Sequence, residues 1–195
     1  TIVGKSYPLD DCNFPTIDPA DPYRLSEGEE VVMQKLKASF TGSEKLQRHI
    51  SFLFARGSMY LPCNGNLLYH GCVPLEENGS FKEVQVGTET YHGRALFEKL
   101  EEWVRKGYYL PEGEERRFGQ DTMWFLWANE NSPLYGKERM TTFERYFVKD
   151  PSCYYEAKSA YYKYLDNDKV ITSILNEFGL DGSNPSAHII NGHMP

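Results

Sequence analysis

Cysteine is scarce in this chain, and none of it is paired in sequence. Cys12, Cys63, Cys72 and Cys153 stand alone. No Cys-x-x-Cys occurs, which excludes a zinc ribbon, and scattered single thiols fit a reducing compartment, so the expected location is the cytoplasm. Long apolar runs are missing too, and with them any segment of about 18 residues that would cross a bilayer as a helix. Positive charge is in deficit: 21 Lys and Arg stand against 28 Asp and Glu, a net charge of -7. That excludes the basic footprint of a nucleic-acid binder, and homo-oligomer formation is left open. Gly-x-Gly-x-x-Gly, a Walker loop, His-Glu-x-x-His and a nucleophile elbow are all absent, as are internal repeats and low-complexity tracts. The chain opens at Thr1 rather than at a methionine and stops two residues after His193, so it reads as a piece of a longer protein.

What the chain does have is apolar bulk. Hydrophobic residues make up 40% and aromatics 14% of 195 residues, enough for one sizeable core with a small satellite lobe. Residues 1–25, punctuated by Pro8, Pro15, Pro19 and Pro22, read as an extended lead-in. Residues 26–88 read as helices and a hairpin of the core. Ser26 with Glu29 is a capping box, and Val32, Leu36 and Phe40 give one apolar face. Ser43 caps a second helix with Leu46, Ile50, Leu53 and Phe54 inward and Gly57 as its stop. Two strand-like runs, 58–61 and 66–70, flank Asn64-Gly65 and predict a β-hairpin, and 81–86 reads as one more short strand. Residues 89–165 read as an aromatic helical insertion, with a helix through Leu96, Phe97, Leu100, Trp103 and Val104 that stops at Gly107 and an apolar one through Trp124 and Trp127. Residues 166–195 give a last helix, 167–178, ended by Gly179, and a last strand, 188–191.

Two histidines stand in look-alike settings. Leu67-Leu68-Tyr69-His70-Gly71 and Ile189-Ile190-Asn191-Gly192-His193 are apolar runs that end in an imidazole and a glycine. A strand that aims a ligand, beside a glycine that lets backbone approach an ion, is a common way to build a metal site. The same residues also read as strand-end histidines bonded to backbone. Two imidazoles are an incomplete set for a catalytic ion, which needs three or more protein ligands. Asp121 and Asp181 are available by composition, though neither sits in a ligand-rich motif. His49, His92 and His188 read as surface or structural, and Cys72 as a free buried thiol. Lys137, Arg139 and Arg145 surround the Gly136 loop that leads into a helix start, a pattern able to hold a phosphate; they read equally as exposed or paired charges.

Several long strings occur together in order: Phe14 to Pro19, Gly57 to Leu61, Asn66 to Leu75, Ser132 to Lys137, Met140 to Phe147 and Ile189 to Pro195. From Cys12 to Pro195 the chain resembles the class III fructose-1,6-bisphosphatases of Firmicutes, and through them the calcineurin-like metallophosphoesterases. The resemblance implies an α/β (α+β) fold, part of a four-layer α-β-β-α sandwich with a helical insertion. It implies His70 and His193 as metal ligands, two Mn²⁺ ions in the intact enzyme, and hydrolysis of the 1-phosphate of fructose 1,6-bisphosphate in gluconeogenesis. Lys137, Arg139 and Arg145 become the candidates for holding the sugar phosphates. The superfamily's Asp-x-His, Gly-Asp-x-x-Asp-Arg-Gly and Gly-Asn-His-Asp/Glu motifs do not occur here. The remaining ligands and the catalytic histidine are therefore expected upstream of Thr1, and the piece alone is expected to be inactive. The rival readings are a non-catalytic helical interaction or regulatory module and a nucleotide-pyrophosphate hydrolase of the same superfamily. The metallophosphatase reading requires the rings of His70 and His193 to converge at one sheet edge.

Overall fold

The computed structural model describes residues 1–193; Met194 and Pro195, the end of the last resemblance string, lie outside the described residues. In chain order the elements are helices α1 (Glu27–Thr41) and α2 (Glu44–Arg56), strands β1 (Tyr60–Cys63), β2 (Asn66–Tyr69), β3 (Val84–Val86) and β4 (Glu89–Tyr91), helices α3 (Gly93–Tyr109), α4 (Glu114–Ala128), α5 (Thr142–Phe147) and α6 (Asp168–Glu177), and strand β5 (Ile189–Ile190). The fold is a mixture of helix and strand, as expected. Its contacts divide it into two compact units, Thr1–Gly57 with Thr142–Tyr154, and Ser58–Thr141 with Tyr155–Pro195. The helices α1 and α2, grouped in the sequence reading with the hairpin, thus fall in the first unit and the hairpin in the second.

In the first unit the helix starts follow their caps. Ser26 Oγ accepts from the Glu29 N–H while Glu29 accepts from the Ser26 N–H at 2.7 Å, the reciprocal capping box. Ser43 Oγ accepts from the Leu46 N–H. Such caps contribute about 1 kcal/mol each. The expected inward faces are a different matter. Val32, Leu36 and Phe40 are 55%, 49% and 63% exposed, Leu53 is exposed as well, and neither α1 nor α2 has a buried residue. The period of the pattern marks which side of a helix is apolar; it takes a second layer to bury that side, and no strand of the unit supplies one among the described residues. The lead-in is tied down locally, with the Asp10 N–H donating to the Phe147 carbonyl at 2.8 Å and Phe14 edge-on to Phe147.

The second unit holds the core. The hairpin forms as predicted: Asn64 and Gly65 take φ of 51° and 77°, the left-handed pair that a two-residue turn requires, and β1 pairs antiparallel with β2. β5 then joins β2 in parallel, with Leu67 opposite Ile189 and Leu68 opposite Ile190. A parallel neighbour needs a long crossover, and here 119 residues, 70–188, lie between the two strands. Leu67, Tyr69, Val73, Phe97, Ile174, Leu175 and Phe178 close over this sheet as one apolar cluster. The buried hydroxyl of Tyr69 meets that of Tyr161 at 2.7 Å, so neither is left unsatisfied.

A second cluster, Val84, Val86, Leu96, Leu100 and Leu126, lies under a second hairpin, β3–β4. The sequence reading gave the first strand of that hairpin and missed the second. It also placed the end of α3 at Gly107, whereas the helix runs on to Tyr109. The glycine serves another purpose: a Cβ on Gly107 would lie 2.6 Å from the Gly119 backbone, so α3 and α4 cross backbone to backbone. Trp124 and Trp127 of α4 are 66% and 59% exposed and meet edge to face, while Leu126 between them is buried.

Candidate metal centre

His70 is the first residue past β2 and His193 the third past β5, so the parallel pairing of these two strands brings both to one edge of the sheet. His70 Nε2 lies 3.0 Å from His193 Nδ1, with ring centroids 4.8 Å apart, although 123 residues separate them. The convergence required by the sequence reading is present. Without an ion, an N–H of one ring donates to the bare nitrogen of the other. The same spacing suits a shared cation, since two nitrogens about 2.1 Å from one ion at right angles lie about 3.0 Å apart.

The edge is held from three sides. The Gly192 N–H donates to the His70 carbonyl at 2.9 Å, and Asn191 Nδ2 donates to the Gly71 carbonyl at 2.6 Å. The Cys72 N–H donates to the Pro133 carbonyl at 2.9 Å, and a Cβ on Gly71 would come within 2.4 Å of that same oxygen. This is the close approach that the His-Gly pair requires. The loop that carries Pro133 is fixed by Ser132, fully buried, whose hydroxyl donates to the Leu126 carbonyl at 2.7 Å and accepts from the Leu134 N–H. The backbone of Tyr135 accepts from the His193 ring. A backbone acceptor on one face of an imidazole is the usual outer support of a metal-ligating histidine.

Partial desolvation and the neighbouring His70 hold His193 below the ordinary histidine pKa, which keeps the ring neutral and its lone pair free at neutral pH. His193 also has φ of +70°, a left-handed backbone that a residue with a Cβ rarely adopts. Among the described residues no group of three or more His, Cys, Asp and Glu is gathered. The pair therefore fits two neighbouring positions in an ion's coordination sphere and does not fill it. Asp121 lies exposed on α4, and Asp181 binds Ser183. Burial pushes the Cys72 thiol up to about 11, so it remains a neutral thiol at neutral pH.

The three basic candidates are not gathered in the same way. Lys137 Nζ meets Glu156 at 2.5 Å and is largely buried, close enough to His193 for its charge to act on that ring. Arg139 Nε donates to the Tyr155 carbonyl at 3.2 Å. Arg145 belongs to the first unit, where it donates to the Tyr154 carbonyl at 3.0 Å and lies over the Tyr154 ring. Each has a partner of its own. The helix they were expected to introduce, α5, is only six residues long. A cavity of about 130 Å³ opens beside Lys82 and Lys137, but Glu76, Glu77, Glu130 and Glu138 also line it, a poor seat for a sugar phosphate. Sequence reasoning missed Asn191, Ser132 and Glu156. A polar Asn directly after Ile-Ile was a legible signal for the first; nothing in the sequence joins Glu156 to Lys137.

A model of the Firmicute fructose-1,6-bisphosphatase family matches residues 1–195. A protein of Clostridium acetobutylicum named fructose-1,6-bisphosphatase class 3 is 51% identical over 193 residues, which is 98% of this chain and 29% of that protein. Proteins of the same name from Clostridium novyi and Clostridium botulinum are 51% and 52% identical over similar spans. The chain thus spans less than a third of the length of these curated relatives. No solved structure matches it.

Proposed function

Because the chain belongs to the Firmicute fructose-1,6-bisphosphatase family, we propose that it supplies two imidazole ligands, His70 and His193, to a divalent-metal centre that hydrolyses the 1-phosphate of fructose 1,6-bisphosphate. The observation that carries this reading is the 3.0 Å approach of two imidazole nitrogens at the end of a parallel strand pair. His70 through Nε2 and His193 through Nδ1 would hold the ion, with Mn²⁺ as the metal. When bound, the ion supplies Lewis-acid stabilisation of the charge that grows on the phosphoryl oxygens. The chain's own residues orient the rings: the Gly71 and Gly192 backbones set their spacing, and the Tyr135 backbone fixes the His193 tautomer.

Of the three cations assigned to the sugar phosphates, Lys137 acts on the His193 ring; Arg139 and Arg145 would have to exchange a backbone carbonyl for a phosphate oxygen. The further metal ligands come from residues beyond these 195, in the four-layer sandwich of the metallophosphoesterases, and these 195 residues alone turn over little or no substrate. The expected setting is the cytoplasm, in gluconeogenesis; no helix among the described residues is long and apolar enough to cross a membrane. The exposed Trp124–Trp127 pair favours a second, interaction role for α4.

The test is a Mn²⁺ titration of the chain followed by electron paramagnetic resonance. We expect weak one-site uptake that both H70A and H193A abolish. Uptake unchanged in the two variants would remove the histidines from the site.

A further inference from the structure

The β2–β5 ladder ends at Leu68–Ile190, yet the two rings that must meet lie beyond it. Among the described residues, two cross-links besides the meeting of the rings themselves continue past that point between these two segments: the Gly192 N–H on the His70 carbonyl and the Asn191 side-chain amide on the Gly71 carbonyl. The first continues the backbone pattern. The second is different in kind, because a side chain reaches across to the residue that follows His70.

The strand pair does not need this second link. It has its own bonds, including the Leu67 N–H on the His188 carbonyl at 2.9 Å and the His188 N–H on Asn66 Oδ1 at 2.9 Å. His193 does need it. Its left-handed φ of +70° is strained for a residue with a Cβ, so the ring stays where it is only if the chain just before it is held. Gly71, at the other end of the link, is itself immobilised against the Pro133 carbonyl. The half-buried Asn191 amide therefore ties a strained residue to a rigid one.

We propose that Asn191 is a positioning residue: by clamping the Gly71 carbonyl, its amide fixes the His70 and His193 rings at the separation at which they share one divalent cation. The metal part of this inference rests on the proposed function; the positioning part does not.

Both parts are read in one experiment on the 195-residue chain, with Co²⁺ as the probe. Long-range ¹H–¹⁵N spectra of the metal-free chain should show one tautomer for each of the two rings and a cross-ring nuclear Overhauser effect. N191L, which matches Asn in size and lacks the donor, should average the tautomers and lose the effect while the Leu67 amide keeps its exchange protection. Co²⁺ should shift both rings of the parent chain together, and N191L should weaken that binding about 10- to 100-fold, the cost typical of a lost outer support. N191L spectra identical to the parent would overturn the proposal. If N191L also strips protection from Leu67, N191Q decides. Restored protection with restored tautomers supports positioning, whereas restored protection with averaged tautomers shows that Asn191 serves only the strands. Should Co²⁺ move neither ring of the parent chain while N191L still averages the metal-free tautomers, the metal reading fails and the positioning role stands.

Discussion

Glu156 accepts from Lys137 Nζ, from the Thr141 N–H at 2.7 Å and from the Thr141 hydroxyl at 2.8 Å. Partial burial raises its pKa, but the ammonium and the two Thr141 donors outweigh that and bring the carboxyl down to about 2. A carboxyl whose folded pKa lies below its unfolded value stabilises the fold above the unfolded value and loses that contribution as pH falls toward the folded one. Melting temperatures of the parent chain should therefore drop between about pH 4.5 and pH 2, and E156Q should flatten that drop. At pH 7, E156A should cost about 1–3 kcal/mol, because Thr141 is fully buried and loses a charged acceptor for both its N–H and its hydroxyl. Gly71 is the second residue with a sharp expectation. In G71A the new methyl meets the Pro133 carbonyl, which is backbone and cannot swing aside. The His70 strand end must move instead, so G71A should weaken Mn²⁺ uptake about tenfold or more even where the chain still melts cooperatively. Uptake equal to the parent would show that the histidine edge tolerates a shift of its backbone.

At the level of elements, α3 and α4 make the clearest case of a rule overridden by packing. An Ala in a helix interior is better than Gly by about 1 kcal/mol from propensity alone. Here Gly119 sits with its would-be Cβ 2.4 Å from the Gly107 nitrogen and the Trp103 carbonyl, and Gly107 faces Gly119 in turn. Steric overlap with backbone on that scale outweighs the propensity gain, so G119A and G107A should each destabilise by about 2 kcal/mol or more in urea unfolding, against the sign that propensity predicts. The same pair explains what could be read beforehand. Caps, turn glycines and the hairpin were legible because each is a local property: Ser26 with Glu29, Asn64 with Gly65, Ser43 with the Leu46 N–H. The approach of His70 to His193 was legible only as a requirement, since it rests on parallel pairing of two strands far apart in the chain. Strand β4, the Gly107–Gly119 crossing and the Glu156–Lys137 pair depend on partners chosen by tertiary packing, and no periodicity encodes those.

For the whole molecule, the decisive contrast is how the two units bury apolar surface. The second unit encloses Leu67, Leu96, Phe97, Leu100, Ile174 and Phe178 at 2% exposure or less. In the first unit neither long helix has a buried residue. Isolated helices shorter than about 12–15 residues are marginal in water, and α1 and α2, at 15 and 13 residues, sit at that limit with only their caps and partial packing to add. Stability should therefore be uneven along the chain. Native-state hydrogen exchange should show the amides of α1 and α2 opening through local fluctuations, with small protection, while those of α3, α6 and β2 exchange only near the free energy of global unfolding. F97A should lower the protection of α3 and β2 by about 3–5 kcal/mol, the usual cost of a fully buried ring, and leave α1 and α2 unchanged. Equal protection across both units, lowered uniformly by F97A, would mean that the chain unfolds as one cooperative body and that the exposed stripe on Val32, Leu36 and Phe40 is covered in solution.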